Sequence, residues 1–263
     1  MIDVRSLVGA SDIVLLTLDT LRHDSAQAVF REGRLPTLAR YLGPDGWERR
    51  HSPATFTYAA HHAFLSGFLP TPPEPGPHPR LFAAEFAGSV STTDTTWVFS
   101  QATIPEALAA EGYRTICIGG TGFFNLQNEL GRVLPGLFQE RHWSPELGVT
   151  CPTSTENQVS LAIDRLHAAG EQRAFLFINI SAIHQPNWHH GGTEGHDTLE
   201  THGAALAAVD AALAPLFETL ETRGRFLCIA CSDHGTAYGE DGHQGHRIAH
   251  EVVWNVPYAE FVG

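Results

Sequence analysis

The residues best suited to chemistry lie near the C-terminal end, in the segment SDHGTAYGEDGHQGHRIAH (232–250). It contains four histidines, three acidic residues and four glycines within nineteen positions. Imidazole and carboxylate groups are ligands for divalent cations, and their combination suits zinc or manganese. The segment follows the apolar run FLCIA, which is typical of a buried strand. We therefore expect Asp233 and His234 to leave the end of that strand and to face one ion.

On its own this pair is ambiguous, because an acidic residue and a histidine after a strand also occur in ordinary turns and helix caps. A metal site gains support from Asp19, the last residue of the apolar run SDIVLLTLD. A buried carboxylate requires a cation or a set of hydrogen-bond donors. The alternative partner of Asp19 is Arg22, in a plain ion pair.

Thr57 is the third candidate, at the start of TYAAHHAFLSG (57–67), which predicts a helix. A threonine at this position is normally an N-cap. Next to a divalent ion the same hydroxyl is placed to act as a nucleophile, since the metal favours the alkoxide and the helix N-terminus binds the attacked anion. The two interpretations are compatible.

Apolar runs and helical segments alternate along the chain, which predicts an α/β fold with a mostly parallel sheet. In such sheets ligands gather beyond the carboxyl ends of the strands, where Asp19, Asp233, His234 and His184 would emerge. Three loop regions are candidate lids. The predicted strands are 11–19, 114–120, 173–180 and 225–233, the helices are 103–112, 154–170 and 198–224, and the loops are 69–80, 140–154 and 184–197.

Length and composition indicate one globular domain, residues 1–263, with 43% hydrophobic residues. The net charge is −13 and all sixteen basic residues are arginine, so nucleic acid is not expected as a partner. The sequence shows neither a secretory signal nor a run of about 20 apolar residues, so we expect a cytoplasmic protein without membrane contact. Cys228 and Cys231 are interpreted as core thiols, because side chains three apart on a strand point to opposite faces.

The ordered set of motifs resembles the alkaline phosphatase/sulfatase superfamily, and in particular its small bacterial sulfatase-like metalloenzymes. The resemblance runs from Asp19 to Phe261 and implies a three-layer αβα sandwich. Its motifs are LDTLRHD, TYAAHHAFLSG, GYRTICIGG, a strand followed by HQP, and SDHG followed by a glycine- and histidine-rich segment and VPYAEF.

The resemblance implies that Asp19, Thr57, Asp233 and His234 surround one divalent ion, zinc or manganese, with Thr57 as the nucleophile. Arg22 or His61 would hold substrate oxygens. Ala59 and Ala60 replace the Pro-Ser that usually follows the nucleophile in the family motif. A threonine cannot be converted to the formylglycine of sulfatases, so phosphoester chemistry is favoured over sulfate-ester hydrolysis.

A second ion remains open in this comparison. His184 and His246 match two of its ligands, with His243 and His250 in reserve, but Ile180 stands where the family has an acidic residue. One ion is therefore the firmer expectation.

The predicted function is a metal-dependent hydrolase or transferase acting on a small-molecule or conjugate phosphoester. The alternative is a sulfatase-like metal-binding component without hydrolytic activity. Trp97, Phe99 and Trp188 are candidates for packing on the leaving group. The natural substrate, the ester class and the oligomeric state are left open by the sequence.

Overall fold

The molecule is organised around β-strands whose apolar residues are buried in parallel pairings. The structure is a computed structural model that describes residues 2–67 and 102–263, together with the backbone of two short strands between them. The strands are β1 (Asp12–Leu18), β2 (Glu48–His51), β3 (Phe82–Ala83), β4 (Trp97–Val98), β5 (Arg114–Ile118), β6 (Glu140–His142), β7 (Ala174–Ile180), β8 (Phe226–Cys231), β9 (Ala237–Tyr238), β10 (Gln244–Gly245) and β11 (Asn255–Val262).

Seven of these strands form the central sheet, in the order β2-β11-β8-β1-β7-β5-β6. Strands β8, β1, β7, β5 and β6 pair in parallel, and β11 runs antiparallel to both of its neighbours. The predicted α/β fold with a mostly parallel sheet is therefore confirmed. The pairing of β1 with β7 and β8 brings the carboxyl ends of these strands to one edge of the sheet, where the chemistry is expected.

Helices cover both faces of this sheet. The alternation of side chains along β1 shows the two layers: Val14, Leu16 and Leu18 pack with one group of helices, whereas Ile13 belongs to the core on the other face. The helices are α1 (His23–Arg31), α2 (Thr57–Ser66), α3 (Ile104–Ala110), α4 (Glu129–Val133), α5 (Ser154–Ala169), α6 (Leu199–Arg223) and α7 (Glu251–Trp254).

The predicted strands and helices are observed within two residues of their expected ends. Strand β6 corrects the prediction of an unbroken loop over 140–154, and β2 was not predicted at all. Both are short segments with charged residues, ERH and ERRH, and β2 is exposed throughout. They carry no apolar periodicity because each lies at an edge of the sheet.

Helix α6 corrects the expectation that no segment is apolar and long enough to cross a membrane. Among the described helices it alone meets that criterion of length and composition, and 50% of its most apolar stretch is buried inside the protein. Its buried side chains, among them Leu206, Leu213 and Leu220, belong to the core beneath the sheet.

Some expectations lie outside the described residues. The proline-rich loop 69–80 and Phe99 belong to this group, and only the backbone of Trp97 is described. Cys228 and Cys231 are both buried free thiols, as expected for core residues, and burial raises the pKa of Cys231 to about 12. The single domain over 1–263 stays a prediction.

An ion pair at the start of β1, the end opposite to Asp19, connects helices α5 and α6 to the sheet. Asp12 at the start of β1 is 2% exposed and accepts a hydrogen bond from Arg223 Nε at 2.9 Å. The guanidinium also donates to the carbonyls of Leu166, Gly170 and Gln172. Arg223 therefore joins the ends of α5 and α6 to β1.

We expect Arg223→Ala to lower the free energy of unfolding by about 3–5 kcal/mol, because it leaves the Asp12 carboxylate buried without its partner. Arg132→Ala removes an exposed ion pair with Glu129 and should cost less than about 1 kcal/mol. Urea denaturation of the two variants measures both values. Equal stability of the two would show that Arg223 does not have this role.

Candidate active site

Three potential metal ligands converge at the carboxyl edge of the sheet. Asp19 follows β1, and Asp233 and His234 follow β8, which pairs with β1 in parallel. All three side chains are 0% exposed. One ligand atom from each lies within 4.8 Å of the others, and this is the one such cluster of histidine, cysteine and acidic side chains in the described part of the chain. The sequence predicted these three residues, and the structure brings them together.

Thr57 lies beside this cluster as the first residue of α2. Its Oγ1 is 3.2 Å from His234 Nε2, and the residue is 3% exposed. The interpretation as an N-cap is corrected, because the N-cap is Phe56, which has extended backbone angles (φ −161°, ψ 156°). The Thr57 hydroxyl is therefore not the helix cap, and it is directed at His234 of the cluster.

The orientation of His234 is fixed by its neighbour in the chain. His234 Nδ1 lies 2.8 Å from the Gly235 carbonyl oxygen. Because a carbonyl only accepts, Nδ1 carries the proton and the neutral ring presents a lone pair at Nε2. Gly235 is required here, since a Cβ at this position would lie 1.9 Å from the Val252 carbonyl oxygen.

The two carboxylates each have one oxygen with a donor and one without. Asp19 Oδ2 accepts from Asn179 at 3.0 Å, and Asp233 Oδ1 accepts from the backbone N–H groups of Thr20 and His234. Asp19 Oδ1 and Asp233 Oδ2 are buried without a hydrogen-bond partner. Asp233 Oδ2 also faces the His234 Nε2 lone pair at 3.4 Å. Opposed acceptors of this kind fit a divalent cation between them.

The raised pKa values of Asp19 and Asp233 also indicate a site for a positive charge. Burial, followed by the neighbouring Asp233 charge, raises the pKa of Asp19 from 3.8 to about 6. Burial raises the pKa of Asp233 from 3.8 to about 7. Two carboxylates at this depth are stable as anions only beside a positive charge. The donor set, two carboxylates and an imidazole, suits zinc or manganese.

Asn179 near the end of β7 is a functional residue that the sequence analysis missed. Its amide donates to Asp19 Oδ2, and its carbonyl oxygen accepts from the backbone N–H of Thr121 at 2.9 Å. The same amide lies 3.4 Å from Thr17 Oγ1. The available signal was a single amide in the otherwise apolar strand AFLFINI. Asn179 fixes the rotamer of Asp19.

His61 lies behind the cluster, where it supports α2. Its Nδ1 is 2.8 Å from the Thr57 carbonyl oxygen and its Nε2 is 2.9 Å from Thr17 Oγ1. The residue is 0% exposed, and burial lowers its pKa to about 3, so the ring is neutral. Both ring nitrogens are occupied by protein groups. This geometry favours positioning of Thr57 over the predicted contact with substrate.

Arg22 is also engaged by the protein. Its guanidinium pairs with Asp24 and Glu240, and the residue is 3% exposed. The alternative of an Asp19–Arg22 ion pair is therefore wrong, because both carboxylate partners of Arg22 are other residues. The pair with Glu240 holds the segment after β9 against the loop after β1. Two ion pairs disfavour the predicted role in substrate binding.

The candidate ligands of a second ion lie next to the first cluster. The ring centroids of His234 and His246 are 4.6 Å apart, and those of His184 and His246 are 5.9 Å apart. Ile180 is 0% exposed and supplies no ligand atom. His243 and His250, the reserve candidates, pack against each other, and His250 contacts Asp241. A second ion stays a prediction.

Comparison with known proteins agrees with this fold and site. The chain belongs to the sulfatase family, whose model matches residues 12–258. No curated protein sequence matches the chain. Solved structures of the alkaline phosphatase/sulfatase superfamily share the fold, as the sequence resemblance predicted.

Three of these structures illustrate the similarity. Phosphoethanolamine transferase A (EptA) from Neisseria meningitidis is 16% identical with a TM-score of 0.65, and the alignment covers 96% of this chain and 48% of that one. The lipoteichoic acid synthase LtaP from Listeria monocytogenes is 13% identical with a TM-score of 0.65 and coverages of 98% and 66%. A zinc complex of the periplasmic domain of EcEptC from Escherichia coli is 12% identical with a TM-score of 0.63 and coverages of 95% and 72%. The chain thus spans about half the length of the Neisseria enzyme.

Removing a carboxylate from the cluster tests the metal assignment. We expect Asp233→Asn and Asp19→Asn to lower the affinity for zinc by at least about 10²-fold, the upper range for altered supporting residues of metal sites. Asp241→Asn is the matched control, because Asp241 is an exposed acidic residue of the same segment. Metal titration of the three chelator-treated variants gives the affinities. An unchanged affinity in Asp233→Asn would refute the assignment.

The raised pKa values predict an unusual pH dependence for the metal-free protein. Between 3.8 and the folded values of about 6 and 7, the folded state binds more protons than the unfolded state. The contribution of these groups to the stability therefore falls as the pH rises through this range. The buried histidines, His61 and His246 among them, have pKa values lowered to about 3 and contribute with the opposite sign, so the measurement is the difference in thermal unfolding between the chelated wild-type protein and Asp233→Asn from pH 4 to pH 8. Relative to Asp233→Asn, the wild-type protein should lose stability as the pH rises through this range, and added zinc should remove that loss.

Proposed function

We propose that the chain is a metal-dependent hydrolase or transferase of phosphoesters, with Thr57 as its nucleophile. The observation that supports this most directly is the 3.2 Å contact between Thr57 Oγ1 and His234 Nε2, beside two buried carboxylate oxygens without donors. Asp19, Asp233 and His234 would hold the ion, with Thr57 as a further ligand. The EcEptC structure, a zinc complex, is consistent with zinc in this role.

A bound divalent cation would supply the charge that favours ionisation of the Thr57 hydroxyl and offsets charge on a phosphoryl group. The residues of the chain prepare the geometry for this. Asn179 fixes Asp19, the Gly235 carbonyl fixes His234, and His61 fixes the first turn of α2. The N-terminus of α2 presents backbone N–H groups toward an anion at Thr57.

In the proposed reaction Thr57 gives up its hydroxyl proton to solvent, its oxygen attacks phosphorus, and the bond from phosphorus to the leaving oxygen breaks. The leaving alkoxide takes a proton from solvent and departs as the alcohol. A phosphothreonine forms, and water or an acceptor alcohol then takes the phosphoryl group from Thr57. The first outcome is hydrolysis and the second is transfer. EptA and LtaP are named as a transferase and a synthase, which supports including transfer. Sulfate esters are disfavoured because threonine cannot form formylglycine.

The substrate is proposed to be a small-molecule or conjugate phosphoester and not a nucleic acid, given the net charge of −13. The periplasmic origin of the EcEptC domain does not favour the cytoplasmic location expected from the sequence. The non-hydrolytic alternative rests on Ala59 and Ala60 in place of Pro-Ser and on Ile180 in place of an acidic residue, and the 3% exposure of Thr57 is consistent with it. Variants of Thr57 separate the two functions.

We expect Thr57→Ala to lower kcat for p-nitrophenyl phosphoesters by at least about 10³-fold, because loss of a nucleophile removes the covalent route. Thr57→Ser keeps the hydroxyl and should retain measurable turnover. Thr55→Ala, two residues earlier, is the control and should retain the wild-type rate. The phosphate monoester, the diester and the sulfate are assayed with zinc and with manganese.

Mass spectrometry of the acid-quenched reaction should show phosphate on Thr57 in the wild-type protein. Zinc binding should persist in Thr57→Ala, since two carboxylates and His234 remain. Turnover that survives in Thr57→Ala would eliminate the nucleophile assignment. Bound metal without turnover of any ester in the wild-type protein would support the non-hydrolytic alternative.

A further inference from the structure

Arg247 is an arginine beside the nucleophile that the proposed mechanism does not use. It directly follows His246, and its guanidinium carbon lies 5.5 Å from the centre of the Phe56 ring. Phe56 directly precedes Thr57 in the chain. The backbone N–H of Arg247 donates to the Thr55 carbonyl at 2.9 Å. The arginine is therefore attached, by backbone and by side chain, to the segment that carries the nucleophile.

The charge of Arg247 is available to a ligand. The residue is exposed, and the described part of the chain contains no ion pair that includes it. Arg22, by contrast, is buried and paired with Asp24 and Glu240. Burial is the main cause of the lowered pKa values of His234 and His246, and the Arg247 charge lies near enough to the site to lower them further.

The backbone at Arg247 is held in an uncommon conformation. Its φ angle is +67°, in the left-handed region that non-glycine residues rarely occupy. Such conformations persist where the surrounding structure requires them, and they are concentrated at functional sites. Here the conformation turns the chain after His246, so that His246 packs against His234 while Arg247 extends over Phe56.

The Phe56 ring lies beneath the guanidinium, and a second aromatic ring, Phe123, packs beside Phe56. Phe56 and Phe123 are both half-buried, and their ring centroids lie 6.4 Å apart. Phe123 follows β5, so it also reaches the carboxyl edge of the sheet. A guanidinium on an aromatic face keeps its N–H edge available, and that edge matches a phosphate or carboxylate with two parallel hydrogen bonds.

We propose that Arg247 and Phe56 form a substrate subsite next to Thr57, in which the guanidinium binds an anionic group of the substrate. This inference rests on the proposed phosphoester function and specifies its substrate: the ester is anionic where it meets Arg247. The positive charge of Arg247 offsets the repulsion that an acidic protein, with a net charge of −13, exerts on an anionic substrate.

Two parts of a substrate have this chemistry. The anionic oxygens belong either to the phosphoryl group that reacts or to a second acidic group on the leaving alcohol. Phenyl phosphate carries the first alone, whereas 4-carboxyphenyl phosphate carries both. Comparison of these two esters distinguishes the sources.

The test compares the wild-type protein with Arg247→Gln, Arg247→Lys and Arg40→Gln, each loaded with zinc. Arg40→Gln is the matched control, because Arg40 also lies over an aromatic ring, Tyr41, at 5.3 Å, but pairs with Glu221 on α6. Release of inorganic phosphate gives kcat/KM for both esters. Thermal unfolding with and without inorganic phosphate reports anion binding independently of turnover.

We expect Arg247→Gln to lower kcat/KM by about 10²-fold, the effect of losing one stabilising donor. The kcat/KM of Arg247→Lys should lie between those of Arg247→Gln and the wild-type protein, since lysine keeps the charge but not the paired N–H edge. The kcat/KM of Arg40→Gln should equal that of the wild-type protein. An equal loss for both esters assigns Arg247 to the reacting phosphoryl group, and a loss confined to 4-carboxyphenyl phosphate assigns it to the second anion.

Wild-type rates in Arg247→Gln, with phosphate stabilisation retained, would overturn the subsite. If the wild-type protein turns over neither ester, the proposed function fails on its own. The subsite then stands if phosphate stabilises the wild-type protein and Arg40→Gln but not Arg247→Gln. The subsite proposal is refuted if phosphate stabilises the wild-type protein, Arg40→Gln and Arg247→Gln equally, or if it stabilises none of these proteins.

Discussion

The structure depends on the burial of two carboxylates at the ends of adjacent parallel strands. Asp19 and Asp233 are both fully buried, and each leaves one oxygen without a donor. An uncompensated pair of this kind opposes folding, as the raised pKa values of both groups show. A cation bound between the two carboxylates would compensate their charge, so metal binding would contribute to the stability as well as to the chemistry.

The surrounding polar residues determine which carboxylate oxygens remain available to a metal ion. Asn179 and the backbone of Thr20 each satisfy one oxygen, which leaves the other oxygens of the two carboxylates for an ion. His61 connects the start of α2 to β1 through Thr17, and it is neutral, so it adds no competing charge. The network therefore fixes the positions of the ligands and of Thr57 without filling the point on which they converge.

The parts of the site that lie at strand ends were predictable from the sequence. Asp19, Asp233 and His234 follow apolar runs that specify buried strands, and the topology of a parallel sheet brings such ends together. The amide of Asn179 stands out in an apolar strand, but its contact with Asp19 was not predictable, since it depends on the distance between β7 and β1. Strands β2 and β6 carry no apolar pattern because they lie at edges. The partners of Arg22 depend on Glu240, which is 218 residues away in the chain.

Charge balance favours a single ion in the protein without substrate. The two carboxylates supply two negative charges, which one divalent cation neutralises. The candidate ligands His184 and His246 would bind an ion through imidazole nitrogens, which bring no negative charge, and the side chain of Ile180 has no ligand atom. A second divalent cation would therefore leave an excess of positive charge beside a buried, weakly solvated cluster. The Thr57 alkoxide and the anionic oxygens of a substrate would offset that excess of positive charge. We therefore expect a second metal ion to bind only together with an anion.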